Sequence, residues 1–308
     1  MRLAEIMIDS LSSGERLAVW CESQQGWMLV SELLKESGKN LTNVSTSSLL
    51  RLGSESRLED VGMADVYQAI TDYEAENRNE IRVYKPGIDC KYGRLFSSPE
   101  KILCVGLNYA DHAKEFGNPL PNEPVIFNKA PSSLSFAGAS IILPEQSDRV
   151  DYEGELVVVI GKDGRNVPKE QAMTYVAGYC CGNDVSARDW QKGKPAGQWF
   201  LGKSFDSFAP VGPCFVTADE VGNPNDLKIE TRLNGQVMQS SNTSCFIFKI
   251  DYLISYLSQV MTLRVGDLIF TGTPDGVGDA RKPPVYLKRD DEIVVEIEKI
   301  GTLTNTVY

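Results

Sequence analysis

From Lys101 onward the chain breaks into short apolar runs: KILCVG, ELVVVIG, YVAGYCC, GPCFVT, LKIETRL, DLIFTG and EIVVEIEKI, bounded by clusters of Gly, Pro, Asn and Asp. Runs this short, rich in β-branched residues and fenced by turn formers, read as strands. Many strands and few helices predict a curled antiparallel or mixed sheet and exclude a doubly wound parallel one. Asn234-Gly235, set between alternating runs, marks a hairpin turn. Helical spacing is confined to PKEQAMTY and FKIDYLISYLSQVM, where Ile250, Leu253, Ile254 and Leu257 share a core-facing stripe.

Before residue 100 the texture differs. A strand at LAVWC is followed by the short polar helical pieces VSELLKESGKNL and MADVYQAITDYEAENRN. The change predicts a small N-terminal domain over residues 1–98 and a strand-dominated domain over 99–308.

The overall balance narrows the partners. Lys and Arg number 31 against 42 Asp and Glu, and no basic run could follow a phosphate backbone, so nucleic acid is not an expected partner. No stretch approaches the ~20 apolar residues of a membrane span, and MRLAEIMIDS lacks the order of a secretory signal, so the expected address is cytoplasmic. Seven cysteines, with no C-x-x-C pair, lie mostly in apolar runs and read as reduced core residues. Neither G-x-G-x-x-G nor a Walker pattern occurs, so no nucleotide cofactor is indicated.

The chemistry concentrates in DYEGELVVVIG, residues 151 to 161. On one extended strand Asp151, Glu153 and Glu155 would share a face. Because LVVVIG reads as buried on both faces, these acids lead into a core, where clustered carboxylates raise a pKa or recruit a cation. A solvated strand end at a sheet rim is the alternative reading of this stretch alone. Asp184 in CGNDVSARDWQ stands at the end of another apolar run, where functional side chains project. Two glutamates and an aspartate form an all-oxygen set suited to Mg²⁺ or Mn²⁺ and unsuited to zinc. An anionic substrate would then need added positive charge, for which Lys203, Arg188 and Lys129 are candidates. His112, the only histidine, lies in GLNYADHAKEF with Glu115 three positions on, a spacing that would put both on one face of a helix. Gly106, Gly117, Pro119 and Pro121 around it suggest a segment that can move. Ser132, Phe136, Trp190 and Trp199 are open between pocket wall and core.

GLNYADHAKE, DYEGEL, NDVSARDWQ, GKSFDSFAPVGP and TGTPDGVG, in that order from about Lys101 onward, resemble the fumarylacetoacetate hydrolase superfamily. The resemblance implies an α+β, mainly β fold: a distorted β-roll with a small N-terminal α/β domain, assembled as a homodimer. It implies a Mg²⁺ or Mn²⁺ ion on Glu153, Glu155 and Asp184 and a small 2-oxo acid substrate. Catalytic roles fall on His112, Glu115 and Lys203, with Gln191 and Thr273 joining Arg188 and Lys129 in substrate binding. His112 would take a proton from water, Glu115 would orient it, and C–C cleavage of a 2,4-dioxo acid such as an acylpyruvate or fumarylpyruvate would follow. The alternative is a keto–enol tautomerase, isomerase or decarboxylase acting on oxaloacetate or a related 2-oxo diacid at the same site.

Overall fold

A computed structural model describes residues 1–8, 14–36, 38, 45–52, 62–78, 80–115, 117 and 119–308. In chain order the strands are β1 (Arg2–Met7), β2 (Arg16–Cys21), β3 (Gly26–Leu29), β4 (Val83–Tyr84), β5 (Lys91–Tyr92), β6 (Ile102–Gly106), β7 (Val125–Lys129), β8 (Leu134–Phe136) and β9 (Val150–Asp151). They continue as β10 (Gly154–Ile160), β11 (Val176–Asn183), β12 (Ser186–Ala187), β13 (Ala209–Thr217), β14 (Lys228–Leu233), β15 (Gln236–Asn242), β16 (Leu268–Phe270), β17 (Glu292–Ile297) and β18 (Gly301–Thr306).

The largest sheet is mixed, in the order β4-β3-β2-β1-β13-β11-β10-β16-β6-β7, with β5 beside β1 and β8 beside β13. A second sheet runs β15-β14-β17-β18, and β9 and β12 form a two-stranded sheet. The architecture is therefore α+β with strand in excess, as the run pattern predicts. The N-terminal strands extend the same sheet, because β1 lies antiparallel to β13 with Arg2 opposite Val216.

The reading of LVVVIG as doubly buried holds residue by residue. Leu156, Val158 and Ile160 join one core with Leu253, Ile254 and Leu257 of the helix Ile250–Val260. Val157 and Val159 face the other way, into a core with Leu33, Leu34, Val66 and Tyr73 from the helices Val30–Glu36 and Met63–Ala75. Truncating any of these fully buried side chains to alanine carries the usual core penalty of roughly 2–5 kcal/mol for a Leu or Ile.

Asn234 and Gly235 both adopt positive φ, 50° and 79°, and join β14 to β15 as the hairpin signal requires. The PKEQAMTY segment forms a 3-10 helix, Lys169–Tyr175, in place of an α-helix. All seven cysteines are free, six of them buried. Burial pushes the Cys180 and Cys181 thiols well up, which suits inert core residues. Among the described residues no helix is long and apolar enough to cross a membrane.

Candidate functional site

The acidic cluster forms where β10 begins and β11 ends. These strands are antiparallel with Gly154 opposite Asn183 and Glu155 opposite Gly182. One step beyond the ladder the Asp184 amide donates to the Glu153 carbonyl at 2.8 Å, which sets Asp184 across from Glu153. Glu153 and Glu155 share a face by the two-residue period, so all three carboxylates meet. One oxygen from each lies within 4.8 Å of the others, and all three residues are buried.

Asp151 does not join them. Backbone pairing breaks between β9 and β10, so the extended strand that would place three acids on one face is two strands in different sheets. The Asp151 carboxylate instead gathers backbone: it accepts from the amides of Tyr152 (2.8 Å), Gly278 (2.8 Å) and Asp279 (2.9 Å), and from Arg188 Nε at 2.8 Å. It thereby ties the TGTPDGVG loop to Arg188.

Three cations crowd the cluster, and each is committed to a carboxylate. Lys203 Nζ donates to Glu153 Oε2 (2.9 Å), Asp184 Oδ2 (2.7 Å) and Ser186 Oγ (2.7 Å). Lys129 Nζ donates to Asp184 Oδ1 at 2.5 Å and to the Val185 carbonyl at 3.1 Å. Arg188 adds Glu153 Oε1 at 2.7 Å and Gln191 Oε1 at 2.9 Å to its Asp151 contact. Of these, Lys203 and Arg188 line the central cavity, whereas Lys129 sits behind Asp184 and is not among the lining residues. The side chains expected from sequence to meet a substrate anion are thus first the counter-charges of the acids.

The electrostatic outcome differs between the two glutamates. Burial pushes both up, but at Glu153 the Lys203 and Arg188 charges outweigh it and hold the carboxyl below its ordinary range. Glu155 accepts the Gly272 amide at 2.7 Å, yet burial together with the Asp184 and Glu153 charges raises it well above that range. A buried acid strained by like charges is the kind of group a divalent cation relieves. Glu153 and Glu155 line the cavity, Asp184 is fully buried beside them, and this all-oxygen set fits such an ion.

The cavity measures about 270 Å³ and is walled by Val105, Gly106, Leu107, Phe127 and Trp199, with His112, Glu153, Glu155, Arg188, Gln191, Lys192, Lys203 and Thr273 supplying its polar groups. Trp199 packs edge-on against Phe127. Trp190 instead packs on Phe205, Ser132 is exposed, and Phe136 faces a different groove. Thr273 Oγ1 donates to the Gly154 carbonyl at 2.9 Å and accepts from Gln239 Nε2 at 2.8 Å.

His112 lies on the six-residue helix Ala110–Glu115, which follows β6, and it is buried. Its Nδ1 stands 3.3 Å from Glu115 Oε2, while Glu115 Oε1 accepts the Gly276 amide at 2.9 Å. The helix is thus latched to the TGTPDGVG loop. Of the segment expected to move, Phe116 and Asn118 lie outside the described residues. Gly276 carries φ 99°, and a Cβ there would stand 2.1 Å from the Met238 carbonyl. Gly276→Ala is expected to cost roughly 1–3 kcal/mol in denaturant unfolding and to release the Glu115 latch, read as faster amide exchange in residues 110–115.

Sequence reasoning missed several supports. Ser186 is the third acceptor for Lys203, Asn183 Oδ1 accepts the Glu153 amide at 2.9 Å, and Gln239 braces both Gly154 and Thr273. Asn183 and Ser186 flank Asp184 in the NDVS run and carried a positional signal; Gln239 carried none.

A strand-rich mixed sheet whose antiparallel strand ends bring three carboxylates together beside a cavity is an arrangement that could hold a divalent cation. Residues 101–308 match the family described as fumarylacetoacetate (FAA) hydrolase C-terminal, and the chain belongs to the fumarylacetoacetate hydrolase superfamily. It is 53% identical over 209 residues to the oxaloacetate tautomerase FAHD2A, mitochondrial, of Bos taurus, covering 68% of this chain and 67% of that one. The fumarylacetoacetate hydrolase of Exiguobacterium antarcticum shares the fold with a TM-score of 0.80 and 34% identity, covering 100% of this chain and 99% of that one. The fumarylpyruvate hydrolase of Pseudomonas aeruginosa, solved with Mn²⁺ and pyruvate, gives a TM-score of 0.63 and 34% identity over 73% of this chain and 94% of that one. The expected cytoplasmic address is corrected here, because the bovine relative is named as mitochondrial.

Proposed function

We propose that this enzyme interconverts the enol and keto forms of oxaloacetate, or of a closely related 2-oxo diacid, at a divalent-cation site on Glu153, Glu155 and Asp184. The observation that carries the reading is the 53% identity over 209 residues to a relative named as an oxaloacetate tautomerase. The hydrolytic reading gives way on the same ground, since the hydrolases reported above stand at 34%. Mg²⁺ or Mn²⁺ both suit the donor set, and Mn²⁺ accompanies pyruvate in the Pseudomonas enzyme.

A bound divalent ion would act as a Lewis acid that polarises the 2-oxo group and stabilises charge on its oxygen. The side chains do the rest. Glu115 beside Nδ1 favours the tautomer with hydrogen on that nitrogen, so Nε2 is the basic atom presented to substrate. His112 takes the C3 proton in the keto-to-enol direction and returns it in the reverse direction. Gln191, whose carbonyl is held by Arg188, keeps its NH₂ as a donor toward the substrate. Thr273 and the Gly272 turn close the opposite wall. Val105, Phe127 and Trp199 exclude water, which protects the enolate from stray protonation.

Decay of oxaloacetate enol absorbance tests the reading. Mg²⁺- or Mn²⁺-loaded enzyme should accelerate it, chelation should return it to the buffer rate, and acetylpyruvate should stay intact. Enol decay at the buffer rate alongside stoichiometric pyruvate and acetate from acetylpyruvate would reinstate the hydrolase.

A further inference from the structure

We infer that Arg281 is a positioning residue for the His112–Glu115 pair: it fixes the Gly276 turn whose amide catches Glu115, and so sets where the helix Ala110–Glu115 rests against the cavity. The inference rests on the acid–base role proposed for His112 and goes beyond it by naming what holds that base from outside the site.

His112 reaches the cavity on a helix of six residues, and helices shorter than ~12 residues do not hold their shape alone in water. Glu115 joins this helix to the TGTPDGVG loop through Oε1, which accepts the Gly276 amide at 2.9 Å. The pair is placed no better than Gly276 is. That residue lies at the outer edge of the loop, where Asp275 is exposed and Gly276 itself is half-buried. The loop is anchored two residues to either side, by the Pro274 carbonyl on Gln239 and by the Gly278 amide on Asp151.

Two side chains hold Gly276 between those anchors. Its carbonyl accepts from Tyr152 Oη at 3.1 Å and from Arg281 Nε at 3.3 Å. The same guanidinium donates through Nη2 to the Met238 carbonyl of β15 at 2.6 Å. Met238 is the residue against which Gly276 is pressed, since a Cβ on that glycine would meet the Met238 carbonyl. Arg281 therefore bonds both sides of one close approach, which suits the fixed fork of a guanidinium and not the point charge of an ammonium. Tyr152 directly precedes Glu153, so the carbonyl that Arg281 shares with Tyr152 also ties the lid anchor to the start of the acidic cluster. Arg281 is not among the residues that line the cavity, so its influence on turnover travels through Gly276 and Glu115.

A double-mutant cycle separates this role from plain stabilisation. Decay of oxaloacetate enol on Mn²⁺-loaded protein gives kcat and KM, and amide exchange over residues 110–115 reports the placement of the helix without any turnover. Arg281→Met should lower kcat by about 10- to 100-fold, the scale of a misplaced reacting group, with KM and Mn²⁺ affinity near wild type. It should also speed exchange in residues 110–115 ahead of the sheet strands. In a Glu115→Ala background the same substitution should change neither quantity, because the link through which it acts is gone. Arg281→Lys, which keeps the charge without the fork, should fall between wild type and Arg281→Met. Tyr152→Phe, which removes the other donor to Gly276 and keeps the ring, should move kcat and exchange in the same direction and should also lose its effect in the Glu115→Ala background. Equal losses in both backgrounds, or exchange that rises evenly along the chain with kcat per folded molecule retained, would make Arg281 a residue of general stability and overturn the inference. The two readings fail separately. A wild type that leaves oxaloacetate enol at the buffer rate loses the tautomerase activity, while exchange in residues 110–115 still decides whether Arg281 holds the helix.

Discussion

Glu155→Gln is expected to abolish divalent-ion binding and cation-dependent turnover while leaving the melting temperature of the metal-free protein unchanged or raised. Glu153→Gln is expected to lower it. The two glutamates are two residues apart in the same cavity wall, but their surroundings have opposite signs. Glu155 is buried against Asp184 and Glu153, so its carboxyl is raised and removing its charge relieves repulsion. Glu153 is clamped by Lys203 at 2.9 Å and Arg188 at 2.7 Å, and neutralising it leaves both buried cations short of a counter-charge. Breaking a buried pair of this kind costs on the order of 3 kcal/mol. Either variant should weaken the ion by more than about 100-fold, since even groups outside the coordination sphere cost ~10–100-fold.

The pH dependence separates them further. Because the folded-state value of Glu155 lies above its unfolded value, its contribution is present below the ordinary carboxylate range. That contribution is lost as pH rises through the raised value. Glu153, held low, contributes above the ordinary range and loses that contribution as pH falls through the lowered value. Calorimetric melts with chelator across acidic to neutral pH should show the Glu155→Gln curve losing the decline toward neutral pH. An equal drop in both variants at every pH would mean that the cluster is held by packing, with charge playing no part.

How much of this was legible beforehand follows from the range of each interaction. The Glu153, Glu155 and Asp184 set could be read because it depends on a two-residue period and on where two strands end, both written locally in DYEGELVVVIG and CGND. Asp151 reads as a fourth member only if the strand is unbroken, and the break comes from β9 pairing with β12, some 35 residues on. The joining of β1 to β13 brings together segments more than 200 residues apart, with no mark in either of them. The charges of Lys129, Lys203 and Arg188 could be listed as needed, but a sequence does not say whether a cation faces the protein's own acids or the substrate. Burial decides that, because a buried carboxylate without a partner costs too much to persist.

His112→Ala is expected to lose about 10²- to 10⁴-fold in the rate of oxaloacetate tautomerisation, the range for removing a positioned acid–base group. Binding of the cation and of oxalate should stay near wild type, since those depend on Glu153, Glu155 and Asp184 and not on the helix. The imidazole is buried, sits on the short helix Ala110–Glu115 and keeps Nδ1 beside Glu115, an arrangement that fixes which nitrogen meets the substrate. Glu115→Gln removes the charge and leaves one carboxamide oxygen where the carboxylate serves both Nδ1 and the Gly276 amide, so one of those contacts is lost and the rate should fall between wild type and His112→Ala. Rate alone would not separate proton transfer to carbon from water activation. Deuterium exchange does: wild-type enzyme in D₂O should wash deuterium into C3 of oxaloacetate and of 2-oxobutyrate, with cation-dependent kinetics that collapse in His112→Ala. Retained exchange in that variant would move the carbon acid–base role to another group in the cavity, with Lys203 the first to examine, because its ammonium already bridges Glu153 and Asp184.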